Sequence, residues 1–287
     1  MSVARHSPAP PSATASRSRV LEQLKGGRLP LVMGILNVTP DSFSDGGQFL
    51  DPKRAITRAR GMVDEGADIL DVGAESTRPY GSAESVALAQ EIARLEPVLP
   101  ALLELGVPVS IDTMKAQVAD WALAAGAAVA NDVWGLQRDP DMAHVIAARA
   151  APVIVMHNRD RADPTIDIMA DIAAFFARSL KIADGAGIAR AQIVLDPGIG
   201  FGKTPEQSIQ VLGRLAELKR FGLPVLVGAS RKRFINLVVP SKPSERVGGS
   251  IAAHLLAAQR GAAIVRVHDV AETVQALRVA EAIEKAR

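Results

Sequence analysis

Cysteine is absent from this 287-residue chain, which excludes disulfides and thiolate chemistry. Aromatic residues are scarce, at 3%, so Ala, Val, Ile and Leu must fill the interior. Neither charge sign dominates: Lys and Arg number 33 against 31 for Asp and Glu. A broad nucleic-acid-binding face is therefore not expected, although a local cationic pocket is compatible with the balance. No apolar run reaches the ~18 residues of a membrane span. The five histidines contain no HxxxH or HxH pairing, so no zinc site is expected. The first 19 residues, MSVARHSPAPPSATASRSR, have no acid and no apolar h-region. They do not read as a secretory signal. Their Arg/Ser bias is shared with transit peptides, but a disordered leader over residues 1–28 is the better reading.

What the chain does have is eight short apolar runs, each ending on polar or charged residues. They are LVMGILN, ADILDVGAEST, VPVSIDT, AAVAND, APVIVMH, QIVLDPG, LPVLVGASRK and AAIVRVHD. They start near residues 31, 67, 107, 127, 151, 192, 223 and 262. Stretches of helical periodicity lie between them, at 53–66, 84–104, 167–187, 205–220 and 245–260. In the first of these, Ile56, Ala59, Met62 and Val63 fall on one helical face. Pro52, Pro140 and Pro205 follow Asp51, Asp139 and Thr204, the order of an N-cap and a first helical residue. Continuous apolar strands alternating with helices imply a parallel sheet covered on both sides. Eight repeats over residues 29–287 fit a single (β/α)8 TIM-barrel domain, whose usual length is ~250 residues. A doubly wound open sheet would suit the same strand count. It draws ligands mainly to its switch point, however, whereas here all eight runs end in polar residues.

Several of these endings suit chemistry. Asp112, Asn131 and Asp196 come from three separate runs, and two carboxylates with an amide suit a ligand edge rich in N–H donors, such as an aminopyrimidinone. Any one of the acids could instead cap a neighbouring loop. Arg266 is planar and can stack on a flat heterocycle while binding phosphate oxygens, and Lys232 can donate to a ring carbonyl or nitrogen. A salt bridge from either to Asp112 or Asp196 is the simpler alternative. His157 and His268 also close runs, as proton carriers, metal ligands or, more commonly, neutral histidines donating to a neighbour. Asn37 with Asp41 or Asp45 offers oxygen ligands for Mg²⁺ beside a diphosphate. The segment DPGIGFGKT (196–204) lacks P-loop spacing. Its glycines suit a close backbone approach to a ligand, with Phe201 on a wall. Two connections, 39–51 and 74–83, are long enough to act as lids. Phe43 in the first either packs on the barrel rim or closes over a ligand.

Taken in order, NVTPDSFSDGG (37–47), ESTRP (75–79), SIDT (110–113), DPGIGFGKT, SRK (230–232) and RVHDV (266–270) resemble the dihydropteroate synthase family of folate biosynthesis. The resemblance runs through all eight repeats. It implies a TIM barrel, usually dimeric, and a transferase joining 6-hydroxymethyl-7,8-dihydropterin diphosphate to 4-aminobenzoate. The products are 7,8-dihydropteroate and diphosphate, with Mg²⁺ assisting. On that resemblance Asp112, Asn131, Asp196 and Lys232 bind the pterin, Met156 lines its slot, and Arg266 stacks on the ring and reaches the diphosphate. Asn37, beside Mg²⁺, and His268 hold the diphosphate. Thr77, Arg78, Pro79, Phe43, Phe201 and Ser230 frame the aminobenzoate site, which Asp45 joins when the first loop closes. Asp112, Asp196, Lys232, Arg266, Phe43 and Asp45 are the expected catalytic set. The resemblance further implies a cytoplasmic enzyme of a family that sulfonamides target, with no nucleic-acid or membrane partner.

Three departures stand out. Tyr80 follows ESTRP where many members have Gly, Arg233 follows SRK where some have Ser, and Asn158-Arg159-Asp160 is a variant stretch. None removes an expected pterin or diphosphate contact. Two rivals are a methyltetrahydrofolate-using methyltransferase and a non-catalytic pterin-binding paralogue. The first needs neither the NVTPDSFSDGG loop nor the RVHDV end, and the second would be expected to lose Phe43, Arg78 or Lys232.

Overall fold

The computed structural model describes residues 12–26, 29–39, 51–75 and 86–286. Phe43, Asp45, Thr77, Arg78, Pro79 and Tyr80 lie outside the described residues.

Among the described residues, eight parallel strands alternate with helices. The first half runs α1 (Ala13–Gly26), β1 (Leu31–Asn37), α2 (Pro52–Asp64), β2 (Ile69–Gly73), α3 (Leu88–Leu95), α4 (Leu99–Leu103), β3 (Val109–Asp112), α5 (Ala116–Ala125) and β4 (Val129–Asp132). The second half runs α6 (Met142–Arg149), β5 (Val153–Met156), α7 (Ile168–Gly185), β6 (Ile193–Asp196), α8 (Pro205–Gly213) and β7 (Leu226–Val227). It ends with α9 (Arg233–Val238), α10 (Val247–Gln259), β8 (Ile264–Val267) and α11 (Val270–Lys285). The strands pair in the order β6-β5-β4-β3-β2-β1-β8-β7. A parallel bridge between Leu195 and Val225 joins the two edge strands, and the Leu195 N–H donates to the Pro224 carbonyl at 2.9 Å. The sheet is thereby a barrel, and the open-sheet alternative is excluded.

Local chemistry sets most element starts. The Asp51 carboxylate accepts from the Lys53 N–H at 2.9 Å, with Pro52 at the first helical position of α2. Thr204 and Gln207 form a reciprocal capping box at the start of α8. This satisfies two otherwise orphaned N–H groups. Asp139 departs from expectation. One of its oxygens accepts from the Asp141 N–H, but the other accepts from the Ala116 N–H at 2.8 Å. It therefore caps α5, in the preceding unit, and α6 begins only at Met142.

The core has two layers. Between strands and helices, Ala, Val, Leu and Ile interdigitate; Ala59 and Met62 of the predicted α2 face are buried there together with Ala55, while Ile56 and Val63 are partly buried against them. Inside the barrel, Leu31, Met33, Ile69, Val129, Ile154 and Ile264 form a separate apolar floor. Each such side chain contributes about 1.5–3 kcal/mol on burial.

The leader reading needs correction over part of its length. Residues Ala13–Gly26 form a helix, not a structureless segment. Val20 is buried in the floor cluster, with Leu24 packed beside it. The Arg17 guanidinium donates to the carbonyls of Arg149 at 2.6 Å and Leu123 at 3.0 Å. These carbonyls lie at the C-terminal ends of α6 and α5, where helix dipoles favour a cation. The helix is held by plugging the lower end of the barrel, so the structural domain begins before residue 29.

Candidate active site

The site follows from strand periodicity. Inward positions recur every second residue, with a rise of about 6.6 Å between them. On five strands the inward side chain two residues beyond the floor position is functional: Ile69 gives way to Asp71, Val129 to Asn131, Ile154 to Met156, Val194 to Asp196 and Ile264 to Arg266. The polar layer faces the C-terminal mouth, where enzymes of this architecture carry out their chemistry.

Arg266 organises this layer. Its Nε donates to Asp71 Oδ2 at 2.5 Å and an Nη donates to Asp112 Oδ2 at 2.7 Å. The Asn131 amide also donates to Asp71 Oδ2, at 3.1 Å. The salt bridge weighed for Arg266 thus exists, and its partners lie in the site itself. Asp71 is a site residue that the sequence reading missed. The signal was a charged residue in the middle of the apolar run ILDVG, where an unpaired carboxylate would be costly.

A pocket lies at these groups, and it together with the open solvent at its mouth spans about 310 Å³. It is lined by the polar groups of Asp112, Asn131, Asp196, Lys232 and Arg266 and by the apolar side chains of Met156, Ile199 and Phe201. The Lys232 ammonium sits 4.1 Å from the Phe201 ring centroid. Among the described residues, Asp112 Oδ1, Asn131 Oδ1 and Asp71 Oδ1 are buried acceptors with no hydrogen-bond partner within the protein. Such atoms cost about 1–3 kcal/mol each unless a ligand or water donates to them.

Burial governs the electrostatics. It raises Asp112 to about 7 against the pull of Arg266, and the nearby Asp71 carboxylate adds to the rise. Burial likewise raises Asp196 to about 6, against its hydrogen bond from the Gly198 N–H and the charges of Arg266, Lys203 and Lys232. Arg266 is pushed the other way: burial alone would lower it, but Asp71 and Asp112 outweigh that and hold it above its usual range. His268 falls to about 3, through burial and then the charges of Arg266, Arg231 and Lys232.

The remaining predicted residues divide by location. Asn37 ends β1, in register with Gly73 on the rim. His268 and Ser230 meet there, with Nδ1 to Oγ at 2.9 Å. His157 does not line the cavity; it is fully buried, bonded to Asp171 and Lys203. The expectation of a neutral histidine bonded to neighbours describes it, since burial and Lys203 lower it to about 4. Asp132 points away from the cavity and accepts from the N–H groups of Trp134 and Leu136, fixing the β4–α6 turn. Glu75 pairs with Lys115 and accepts from the Val86 N–H at 3.1 Å. Lys115 also meets the fully buried Glu91 at 2.5 Å. This buried clamp, which sequence spacing does not reveal, ties together the two ends of the second long connection.

Known proteins with this arrangement agree. The profile of the family described as pterin binding enzyme matches residues 33–268. The chain is 46% identical over 254 residues to the dihydropteroate synthase of Bacillus subtilis, covering 88% of each. It superposes with a TM-score of 0.85 on a dihydropteroate synthase of Clostridium difficile solved in the presence of pteroic acid. That relative is 50% identical, with 90% of this chain and 97% of the other covered. The Xanthomonas albilineans enzyme with 4-aminobenzoic acid gives the same TM-score at 44% identity, covering 89% and 93%. A barrel whose mouth gathers unpaired acceptors beside Arg266 and Lys232, matched over most of its length by these relatives, belongs to the dihydropteroate synthase family of pterin-binding enzymes.

Proposed function

We infer that this chain condenses 6-hydroxymethyl-7,8-dihydropterin diphosphate with 4-aminobenzoate, releasing 7,8-dihydropteroate and diphosphate. The observation that carries the reading is the set of unpaired acceptors on Asp112 and Asn131, in a pocket that Asp196, Arg266 and Lys232 also line. An aminopyrimidinone edge presents ring and exocyclic N–H donors to such oxygens, and its carbonyl faces a cation. Arg266, already held flat by two carboxylates, stacks on the ring and reaches the diphosphate. The relatives crystallised with pteroic acid and with 4-aminobenzoic acid support the two ligand classes.

In the reaction the bond between the exocyclic carbon and the diphosphate oxygen breaks, and the diphosphate leaves with the electron pair. The arylamine nitrogen then bonds to that carbon and its proton passes to solvent or diphosphate. Ionised Asp112 and Asp196 favour the positive charge on the pterin, while Arg266 and Lys232 offset the charge of the leaving group. His268 stays neutral at pH 7 and offers a hydrogen bond to the diphosphate instead of a charge. No strong general base is required, because the arylamine is neutral at pH 7. Phe201 and Ser230 border the arylamine side, with Phe43, Asp45, Thr77, Arg78 and Pro79 contributing from the two long connections.

Magnesium uses one or two protein oxygens and completes its shell with water and phosphate. The amide oxygen of Asn37, at the rim end of β1, fits that demand. When bound, Mg²⁺ supplies neutralisation of the diphosphate charge.

The partner is a second copy of the chain. Leu237, Val238 and Val239 are exposed at the end of α9, as are Leu256 on α10 and Val279 and Ile283 on α11. Five exposed large apolar side chains on three successive helices, with Val239 just past the first, suit a buried interface, and sedimentation at micromolar concentration tests it. A cytoplasmic location follows from an anionic diphosphate substrate that does not cross a bilayer. No described helix is long and apolar enough to span one. Sulfonamides, as arylamine mimics, compete with 4-aminobenzoate on this reading.

Incubation with both substrates and Mg²⁺, assayed for dihydropteroate, is the direct test. Turnover supports the synthase. Pterin binding without turnover would favour a non-catalytic paralogue.

A further inference from the structure

Behind the cavity wall lies a buried charged network that the mechanism above does not use. Lys203 is 1% exposed, although it sits on the β6–α8 connection. Among the described residues its Nζ meets three acceptors: the Gly198 carbonyl at 2.9 Å, the Phe201 carbonyl at 3.1 Å and His157 Nδ1 at 2.6 Å. His157 Nε2 is 3.0 Å from Asp171 Oδ2, which Arg159 also approaches at 2.9 Å. A carboxylate at Nε2 fixes the proton there, so Nδ1 of the neutral ring accepts. Three acceptors around one nitrogen then require three N–H donors, the full complement of an ammonium.

The same loop is seated by backbone contact. Gly198 has φ +66°, and a Cβ there would lie 2.0 Å from the His157 carbonyl oxygen. Gly202 has φ +54°, and a Cβ there would lie 2.4 Å from Arg159 Cβ. The loop is thus pressed onto the end of β5, and its other side meets the cavity. A Cβ on Gly200 would lie 3.3 Å from Lys232 Cδ, and Phe201 lies beneath the Lys232 ammonium.

We propose that Lys203 is a positioning residue for the condensation: it fixes the Gly198–Phe201 turn, which in turn sets the Phe201 wall and the seat of Lys232. The inference rests on the synthase reading for its kinetic consequence but not for its effect on pterin binding. It carries an electrostatic corollary. Asp196 is faced by Arg266, Lys203 and Lys232 and by the Gly198 N–H, all of which favour its ionised form. Lys203 is itself faced by Asp196 and Asp171 and opposed by Arg159 and Lys232, with burial pulling it down to about 7. Removing its charge leaves Asp196 harder to ionise.

The test is Lys203→Met, which keeps the length of the side chain and removes its charge and donors. Calorimetric binding of pterin diphosphate across pH 5–8 should show the acid limb displaced upward by about one pH unit, the smaller end of a nearby-charge effect. The KM for 4-aminobenzoate should rise about tenfold, with kcat changed less. A folded variant with the wild-type acid limb and wild-type KM overturns the proposal. Should this variant not fold, His157→Gln and His157→Leu decide the matter. Gln keeps an acceptor for Lys203 and a donor for Asp171, whereas Leu removes both. The proposal expects Gln to retain, and Leu to lose, the wild-type KM; equal KM values for the two variants overturn it. Intact pterin binding with no wild-type turnover counts against the synthase reading instead, and the acid limb still tests Lys203.

Discussion

The two ends of the barrel interior are built on the same strands with opposite materials. At the floor, Met33, Ile69, Val129, Ile154 and Ile264 pack against one another and against Val20 of α1. One inward step higher stand Asp71, Asn131, Met156 and Arg266. The strand side chains of the floor carry no polar atoms, and the carbonyls ending α5 and α6 receive donors from Arg17, although Arg17 Nε and Gln23 Oε1 on α1 have no partner among the described residues. The mouth keeps orphaned acceptors and carboxyl groups displaced by burial. Two residues along a strand therefore separate a layer that stabilises the fold from one that costs stability and binds a ligand.

The sharpest way to break this contrast is at Arg266. Arg266→Lys keeps a charge but loses ring stacking and the paired contacts to Asp71 and Asp112. We expect kcat/KM, from steady-state kinetics on the folded variant, to fall by about 10²–10³, the effect of losing one preorganised donor, while the melting curve moves less than for removal of the charge, because Lys still neutralises Asp71 and Asp112. Met33→Ala should do the reverse. It leaves a cavity in the floor and should cost about 2–5 kcal/mol in denaturant unfolding, with kcat/KM per folded molecule unchanged.

Proton linkage supplies a finer discriminator. Asp112 and Asp196 titrate higher in the folded chain, about 7 and about 6, than the ordinary carboxyl near 4. Between about pH 4 and 7 the folded state therefore holds more protons at these groups, and their contribution to stability declines as pH rises. The buried His157, His254 and His268, lowered to about 4, 4 and 3, act in the opposite direction over about pH 4–6.5. The difference between wild type and Asp112→Asn isolates the carboxyl: the variant's relative stability should increase from pH 4 to 7. Pterin binding by the wild type should strengthen over the same range, as the acceptors ionise. The smallest effect belongs to the outer floor. Arg17→Ala should cost about 1.5 kcal/mol, the scale of a hydrogen bond from a charged donor, with no change in KM.

Much of the barrel and its polar layer was legible because strand ends are punctuated. An apolar run that stops at Asp112 or Asp196 announces both the strand and its mouth. Helix α1 was hidden because ATASRSRVLEQLKG reads as polar. Only Val20 and Leu24 commit to the barrel, and their reward comes from strands distant in sequence. Asp139 was assigned to the wrong helix because a cap donor can come from a neighbouring unit as easily as from the next residue. Asp71 and Lys203 were missed for a related reason: a buried charge declares its role only when its partners, Arg266 or His157, are brought up in space. The residues of the two long connections, Phe43, Asp45, Thr77, Arg78 and Pro79, lie outside the described residues, so their roles rest on motif resemblance.

The claim that the mouth reads a pterin edge through its unpaired acceptors is tested most directly by calorimetry with pterin diphosphate. Asp112→Asn, which turns a donor toward the ligand's own donors, should weaken binding by about 10–10²-fold, whereas Ile154→Val in the floor should leave it unchanged. Wild-type affinity in Asp112→Asn would contradict the account.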